Sequence, residues 1–374
     1  MEKKFFNAVA TLVGTTIGAG VLGIPFVAAK AGVPLGIANI IIIGIAIMIL
    51  NLYLGEVVLR TKGKHQLTGY AERYLGKKGK RLMALSMVFL IYGAITAYII
   101  GVGEALASIF PVFSSFIFSI LFFTIGAAII YFGIKAVEES ELLLATITIM
   151  VLAAIVVIAF FSEHFVTANL TFLDISKFAV PYGVIFFAFL GAVAVPEMSE
   201  ELGKRKRMLK KAIIIAGVIP IIGYALFAAA VVGVTGADTS QIATIKLGEV
   251  FGQKMVVFAN LFAVFAMTTA FLALGLALKE MYNYDYKLNK NLAWFLTAIF
   301  PITAFLMGVT EFIPLIGLVG AIAGGTEGVM IVIMHSRAKR LGQRKPEFSI
   351  GDNKIISILL VVMFVAGLLY EVIM

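Results

Sequence analysis

The stretch Gly14-Thr15-Thr16-Ile17-Gly18-Ala19-Gly20-Val21-Leu22-Gly23-Ile24-Pro25 lies inside an apolar run extending from about residue 5 to residue 30. A run of that length can cross about 30 Å of hydrocarbon as a helix, which takes about 20 residues. Four glycines and a proline nevertheless fall within these twelve residues. Each glycine disfavours helix by about 0.8–1 kcal/mol relative to alanine, and proline by about 3 kcal/mol. The stretch therefore predicts a span whose helix is interrupted, with backbone N–H and C=O groups left unpaired. At membrane depth such groups are tolerated only where they are buried in protein or line a cavity. The letters Gly18-Ala-Gly20-Val-Leu-Gly23 also match a dinucleotide-binding pattern, but that pattern works only after a strand in a βαβ unit, and an apolar span excludes it.

The rest of the chain has the same character. Of 374 residues, 61% are hydrophobic and 14% charged, against roughly 25% charged in soluble domains, and the mean hydropathy is +1.05. Such a chain cannot cover a globule with polar surface, so its solvent is lipid. A soluble enzyme and a nucleic-acid-binding protein are excluded, despite the net charge of +9. The absence of cysteine excludes thiolate chemistry. His65, His164 and His335 are far apart in sequence, so no metal site beyond a possible sodium site is expected. Eleven apolar stretches follow one another, at about 5–30, 34–59, 82–108, 113–134, 141–161, 178–200, 209–234, 254–278, 291–308, 312–335 and 354–373. With the N-terminus inside, one face collects Lys3, Lys4, the Arg60–Arg81 loop, Lys135, Lys204–Lys211, Lys279–Lys290 and Arg337–Lys354. Only Lys30, Lys177, Lys246 and Lys254 fall on the other. That bias predicts a multi-pass inner-membrane protein with a cytoplasmic N-terminus and an external C-terminus. Between the seventh and eighth spans, 238–253 has the spacing of a short amphipathic helix, either a lid or an interfacial element.

A second interruption occurs at Gly191-Ala192-Val193-Ala194-Val195-Pro196-Glu197, in the sixth span. The two interruptions are five spans apart, and an odd separation turns the second half over in the membrane. The expected fold is all-α, with a five-helix repeat at 1–161, an inverted repeat at 178–335 and one extra helix at 354–373. Inverted repeats that each open with a broken helix are the signature of secondary carriers binding their solute at the bilayer midplane.

The Gly14–Pro25 stretch resembles the first helix of the amino acid/auxin permease family, within the amino acid–polyamine–organocation superfamily. Ala97-Tyr98-Ile-Ile-Gly101-Val-Gly103-Glu104 and Phe187-Ala-Phe189-Leu-Gly-Ala-Val-Ala-Val195-Pro-Glu197 extend the likeness. The resemblance implies the leucine-transporter-type fold and an amino acid permease working by alternating access. Backbone chemistry agrees with it. The carboxylate of a zwitterion would meet N–H groups around Gly18, Ala19 and Gly20, at a positive half-helix end. Its ammonium would meet carbonyls around Phe189, Leu190 and Gly191. With Thr15 and Thr16 at the first break, and Phe187, Phe189 and Tyr98 as an apolar wall, the expected substrate is a neutral, even aromatic, L-amino acid.

Two coupling ions are open. In sodium-coupled proteins of the leucine-transporter-type fold, one sodium joins two carbonyls of the first helix to two hydroxyls of the eighth. The matching groups here would be Gly14 and Ile17 with Thr268 and Thr269. Sodium-coupled neutral amino acid permeases carry asparagine where this chain has Gly14, a departure that removes one side-chain oxygen. Both threonines have an alternative in bonding back to their own helix. Proton coupling needs a buried titratable group. Glu327 stands about 21 Å into its span at 1.5 Å per residue, where a lipid-facing carboxylate would cost about 2.5–3.5 kcal/mol. Glu104 and Glu56, near span ends, are expected at the interface, and Glu197 at the membrane edge or an exit gate. One charge moving with a neutral amino acid gains about 2.3 kcal/mol per 100 mV, equivalent to roughly fiftyfold accumulation. Uncoupled exchange or a transporter-fold sensor is the alternative. An intramembrane enzyme is not expected, since Asp174, Asp238, Asp285 and Asp352 all lie away from span centres.

Overall fold

Each of the eleven apolar stretches carries helix in the structure, a computed structural model that describes residues 2–132, 141–284, 286–351 and 353–373. Lys135, Asp285 and Asp352 lie outside the described residues. The first span runs as Glu2–Thr16, a 3-10 turn at Ala19–Gly23 and Ile24–Ala31, bent by 47° at the break. Then come Val33–Arg60, Leu67–Ile109, Ser115–Phe132 and Glu141–Phe160 as spans two to five. The sixth span is split into Tyr182–Phe189 and Ala194–Leu202. Leu209–Thr235, Gln253–Tyr284 and Lys290–Leu306 form spans seven to nine. The tenth is Phe312–Val319, a π-helical Gly320–Gly324 and Gly325–Leu341, and the eleventh is Lys354–Ile373. Seven helices, and the bent first pair as an eighth, are long and apolar enough to cross a membrane. The arrangement is compatible with eleven spans, and no strand occurs among the described residues.

Burial sorts the spans by position. Of the most apolar stretch of each, 67% of span three and 72% of the tenth is buried, but only 22% of the fourth and 17% of the eleventh. The former lie inside the bundle; the latter face lipid, where leucine and isoleucine are as well solvated as in a core. The third helix reaches 43 residues only through a kink at Gly76, whose φ of 76° sets a short surface segment at an angle to the span proper. Chain reversal between the first two spans uses Gly32 at φ 98°, where a Cβ would lie 2.2 Å from the Phe172 carbonyl oxygen. Amphipathic spacing at 238–253 is realised as helix Ala243–Phe251, which buries Ala243, Thr244, Leu247 and Gly248 and packs on the eighth span.

One expectation needs correcting. Glu56 is not interfacial but fully buried. Its carboxylate accepts hydrogen bonds from Arg60 at 2.8 Å, His335 at 3.0 Å, the Ser349 hydroxyl at 2.7 Å and the Ile350 N–H at 2.7 Å. Lys339 stands 3.7 Å away, and the His335 ring stacks on Tyr53 at 3.9 Å. The tenth span and the segment after it fold over the end of the second span, removing a carboxylate that linear position alone would leave wet. Removing one member of a buried ion cluster leaves uncompensated charge, at about 3–5 kcal/mol. Glu56→Ala is accordingly expected to lower stability by that order, and Glu56→Gln by less, measured as thermal unfolding of detergent-solubilised protein.

Candidate functional site

The first break develops over five residues. The Ile17 N–H still donates to the Val13 carbonyl at 2.7 Å, but Gly18 N–H turns back to Thr16 at 2.9 Å. Val21 N–H then restarts the ladder on the Gly18 carbonyl at 3.4 Å. Among the described residues no backbone acceptor meets the N–H groups of Ala19 and Gly20, and no donor meets the carbonyls of Gly14 and Ile17. Gly18 is extended (φ −108°, ψ −152°), so the break is a loss of helical hydrogen bonding rather than a left-handed turn. Thr15 is exposed, with its hydroxyl donating to the Thr11 carbonyl at 2.7 Å, and Thr16 is buried.

The sixth span fails in a matching way. Leu190 N–H closes on the Phe187 carbonyl at 3.1 Å, and the ladder resumes with Ala194 N–H donating to Gly191 at 3.0 Å. Among the described residues no donor meets the carbonyls of Phe189 and Leu190, while that of Gly191 is occupied. The two halves, of eight and nine residues, are each too short to cross a bilayer alone.

Two glycines bring these breaks into contact. A Cβ on Gly20 would lie 2.7 Å from the Ala188 Cα, and one on Gly191 would lie 2.7 Å from the Thr16 hydroxyl oxygen. Gly20 thus meets the backbone of the sixth span, and Gly191 the Thr16 side chain of the first. Sequence reading missed a third participant, Tyr224 of the seventh span. It is fully buried, and its hydroxyl lies 2.8 Å from both the Thr16 and the Ala188 carbonyl oxygens. No local signal marks it, since its partners are 208 and 36 residues away.

The expected aromatic wall divides. Phe187 is buried with its ring over Gly20 and its backbone and Cβ against Gly320. Phe189 is also buried, but its ring packs edge-on to Tyr224 at 5.0 Å and reaches Gly44 of the second span. Tyr98 is buried in the third span. Gly320 would place a Cβ 2.4 Å from the Gly183 carbonyl oxygen, so the π-helical turn of the tenth span presses directly on the sixth. The Ser86 hydroxyl donates to the Ala323 carbonyl of that turn at 2.9 Å. π-Bulges are frequent at functional sites. Glycines 317, 320, 324, 325 and 328 were the available signal for this one.

Both threonine ion candidates bond within their own helix. Thr268 donates to the Val264 carbonyl at 2.6 Å and Thr269 to Ala266 at 3.0 Å. Thr268 lines an apolar groove of about 280 Å³ formed by spans three, four and eight, to which the first span contributes no residue. The eighth span meets the first at Ala19–Gly23. Glu327 is 4% exposed within the tenth span and has no hydrogen bond or ion pair among the described residues. Glu104 is half-buried in the third span, and Glu197 is exposed in the first turn of Ala194–Leu202. Beside it, Glu201 accepts from the Thr11 hydroxyl at 3.0 Å, and Glu200 pairs with Lys64.

An all-helical membrane protein with its first and sixth spans broken side by side has the architecture of leucine-transporter-type carriers. The fold is that of MhsT, solved in complex with L-phenylalanine, with a TM-score of 0.71 over 100% of this chain and 98% of that one at 14% identity. More specifically, the chain belongs to the tryptophan/tyrosine permease family, which it matches over residues 1–370. The glutamine transporter 2 of Aliivibrio fischeri is 25% identical, across 86% of each chain. The tyrosine-specific transport system 1 of Haemophilus influenzae is 24% identical, across 96% of this chain and 94% of that one. The protein is an amino acid transporter and not an enzyme. Motifs of the first, third and sixth spans had suggested the amino acid/auxin permeases; a match over the whole chain weighs every span and gives the tryptophan/tyrosine permeases.

Because a Cβ on Gly20 would overlap backbone rather than a side-chain tip, the breaks must separate to admit it. Gly20→Ala is expected to cut uptake by at least tenfold while the protein still reaches the membrane. Gly18→Ala, with nothing within 4 Å of its Cβ, is expected to keep uptake within about threefold. Radiolabelled uptake normalised to membrane abundance checks both.

Proposed function

We propose that this chain is a proton-coupled symporter of an aromatic L-amino acid, working by alternating access. The observation that carries the reading is the pair of adjacent breaks, with open N–H groups at Ala19 and Gly20 and open carbonyls at Phe189 and Leu190. A zwitterion bound there gives its carboxylate to the former and its ammonium to the latter. No charged side chain then has to be desolvated, which would cost several kcal/mol for an unpaired ion. Phe187, over the first break, and Tyr98 supply the apolar wall. Thr15, Thr16, Gly18 and Gly191 shape the breaks, and Phe189 supports them from behind through Tyr224. The family description and the tyrosine-specific relative favour an aromatic substrate, and the likeness to amino acid/auxin permeases favours an amino acid. The two repeats at 1–161 and 178–335 would rock against each other. The helix at 354–373 stands outside them, and the basic bias puts the N-terminus in the cytoplasm of an inner-membrane protein.

For coupling, Glu327 is favoured because it is a buried mid-span carboxylate without a hydrogen-bond or ion-pair partner among the described residues, and a proton removes the charge that burial penalises. Glu104 and Glu197 are the further proton or gate candidates along the path. Sodium is the second reading, and the open carbonyls of Gly14 and Ile17 are the observation behind it. It requires Thr268 and Thr269 to turn their oxygens toward the first break.

Purified protein in liposomes separates these readings. Tyrosine, tryptophan, phenylalanine and glutamine are offered under pH and sodium gradients imposed one at a time. Aromatic uptake should accelerate under an inward proton gradient, and Glu327→Gln should abolish that acceleration while Thr268→Ala stays within twofold. Acceleration by sodium alone, lost in Thr268→Ala, would establish the second reading. Uptake indifferent to both gradients would remove symport.

A further inference from the structure

We infer that Tyr224 is a positioning residue that joins the two breaks into one mechanical unit and decides which carbonyls are left for the solute. The helical half before the first break ends its hydrogen-bond ladder at Thr16, and the half before the second break ends at Phe189. Unpaired carbonyls collect at such helix ends, and two clusters of them face each other here. One phenol hydrogen is shared between two carbonyls, each 2.8 Å from the hydroxyl oxygen: that of Thr16, which also accepts from the Gly18 N–H, and that of Ala188. Those oxygens can therefore stand no farther apart than twice that distance. The residues chosen are the same two that the opposing glycines touch: Gly191 faces Thr16, and Gly20 faces Ala188. Close approach and hydrogen bonding thus fall on one four-residue junction, with the Tyr224 ring held by Phe189 at 5.0 Å.

Two consequences follow. With the Ala188 carbonyl engaged, the acceptors left for an ammonium at the sixth-span break are those of Phe189 and Leu190. With both breaks tied to the seventh span, neither half-helix end can shift without the other, so spans one, six and seven move together at this level. The consequence for the solute rests on the function proposed above; the tie between the breaks does not.

The test compares Tyr224→Phe, which removes one oxygen and keeps the ring, with Tyr53→Phe, which makes the same change at another buried tyrosine whose hydroxyl faces that of Ser357 at 3.4 Å. Hydrogen–deuterium exchange of the purified protein reads peptides covering 14–24 and 187–196. In Tyr224→Phe, exchange should rise in both peptides together, while Tyr53→Phe changes neither. In proteoliposomes, Tyr224→Phe should raise the apparent KM for the transported amino acid about tenfold with maximal rate within twofold, and Tyr53→Phe should leave KM within twofold. A rise confined to one peptide, no rise at all, or an equal loss of rate and affinity in both variants would overturn the inference. If the wild-type protein takes up no amino acid, the proposed function fails, and the exchange measurement still decides whether the tie exists.

Discussion

Backbone polarity inside a bilayer is the constraint on which this molecule is organised. An N–H or C=O group at that depth has no water to turn to, so each must be matched within the protein or against something the protein carries. Spans that remain helical meet the demand locally. Where glycine and proline interrupt the first span, and again in the sixth, local satisfaction fails, and the fold answers by laying the two failures against each other. Gly20 lets the first break touch the Ala188 backbone, Gly191 makes room for the Thr16 side chain, and the Tyr224 hydroxyl lies 2.8 Å from one carbonyl of each. What remains open is a small, directional set of donors and acceptors in an apolar setting.

Charge is distributed under the same rule, with two different outcomes. Glu56 is buried at a span end and surrounded by Arg60, His335, Lys339, Ser349 and the Ile350 amide. So complete a shell holds an anion and gives it no reason to change state, and its role is to fasten the tenth span to the second. Glu327, also buried, stands just after the π-helical turn with no comparable shell among the described residues. The two buried carboxylates thus differ in their partners rather than in burial.

Much of the architecture was legible in the residue pattern because hydrophobic length and backbone propensity are local properties. Eleven apolar stretches, the two interruptions and the short helix at Ala243–Phe251 all appear where composition places them. The site was legible only in outline. The open groups at Ala19, Gly20, Phe189 and Leu190 fall within the stretches marked by glycine and proline, since those residues set where a helix stops bonding. Hidden from the pattern were the seventh-span tyrosine, the burial of Glu56, the turning of Phe189 toward Tyr224, and the groove that Thr268 lines. Each depends on which distant helix arrives beside it.

The amino-acid order thus specified that the chain lives in lipid, that it crosses as helices, and where its backbone would be left exposed, because each follows from transfer and propensity energies summed over neighbours in the chain. Which open groups stay open was settled by packing. Thr16 and Ala188 are as polar in sequence as Ile17 and Phe189, yet a hydroxyl from another span reaches the first pair and not the second. A hydrogen bond acts over about 3 Å, so its partners are defined only once the helices have been brought together.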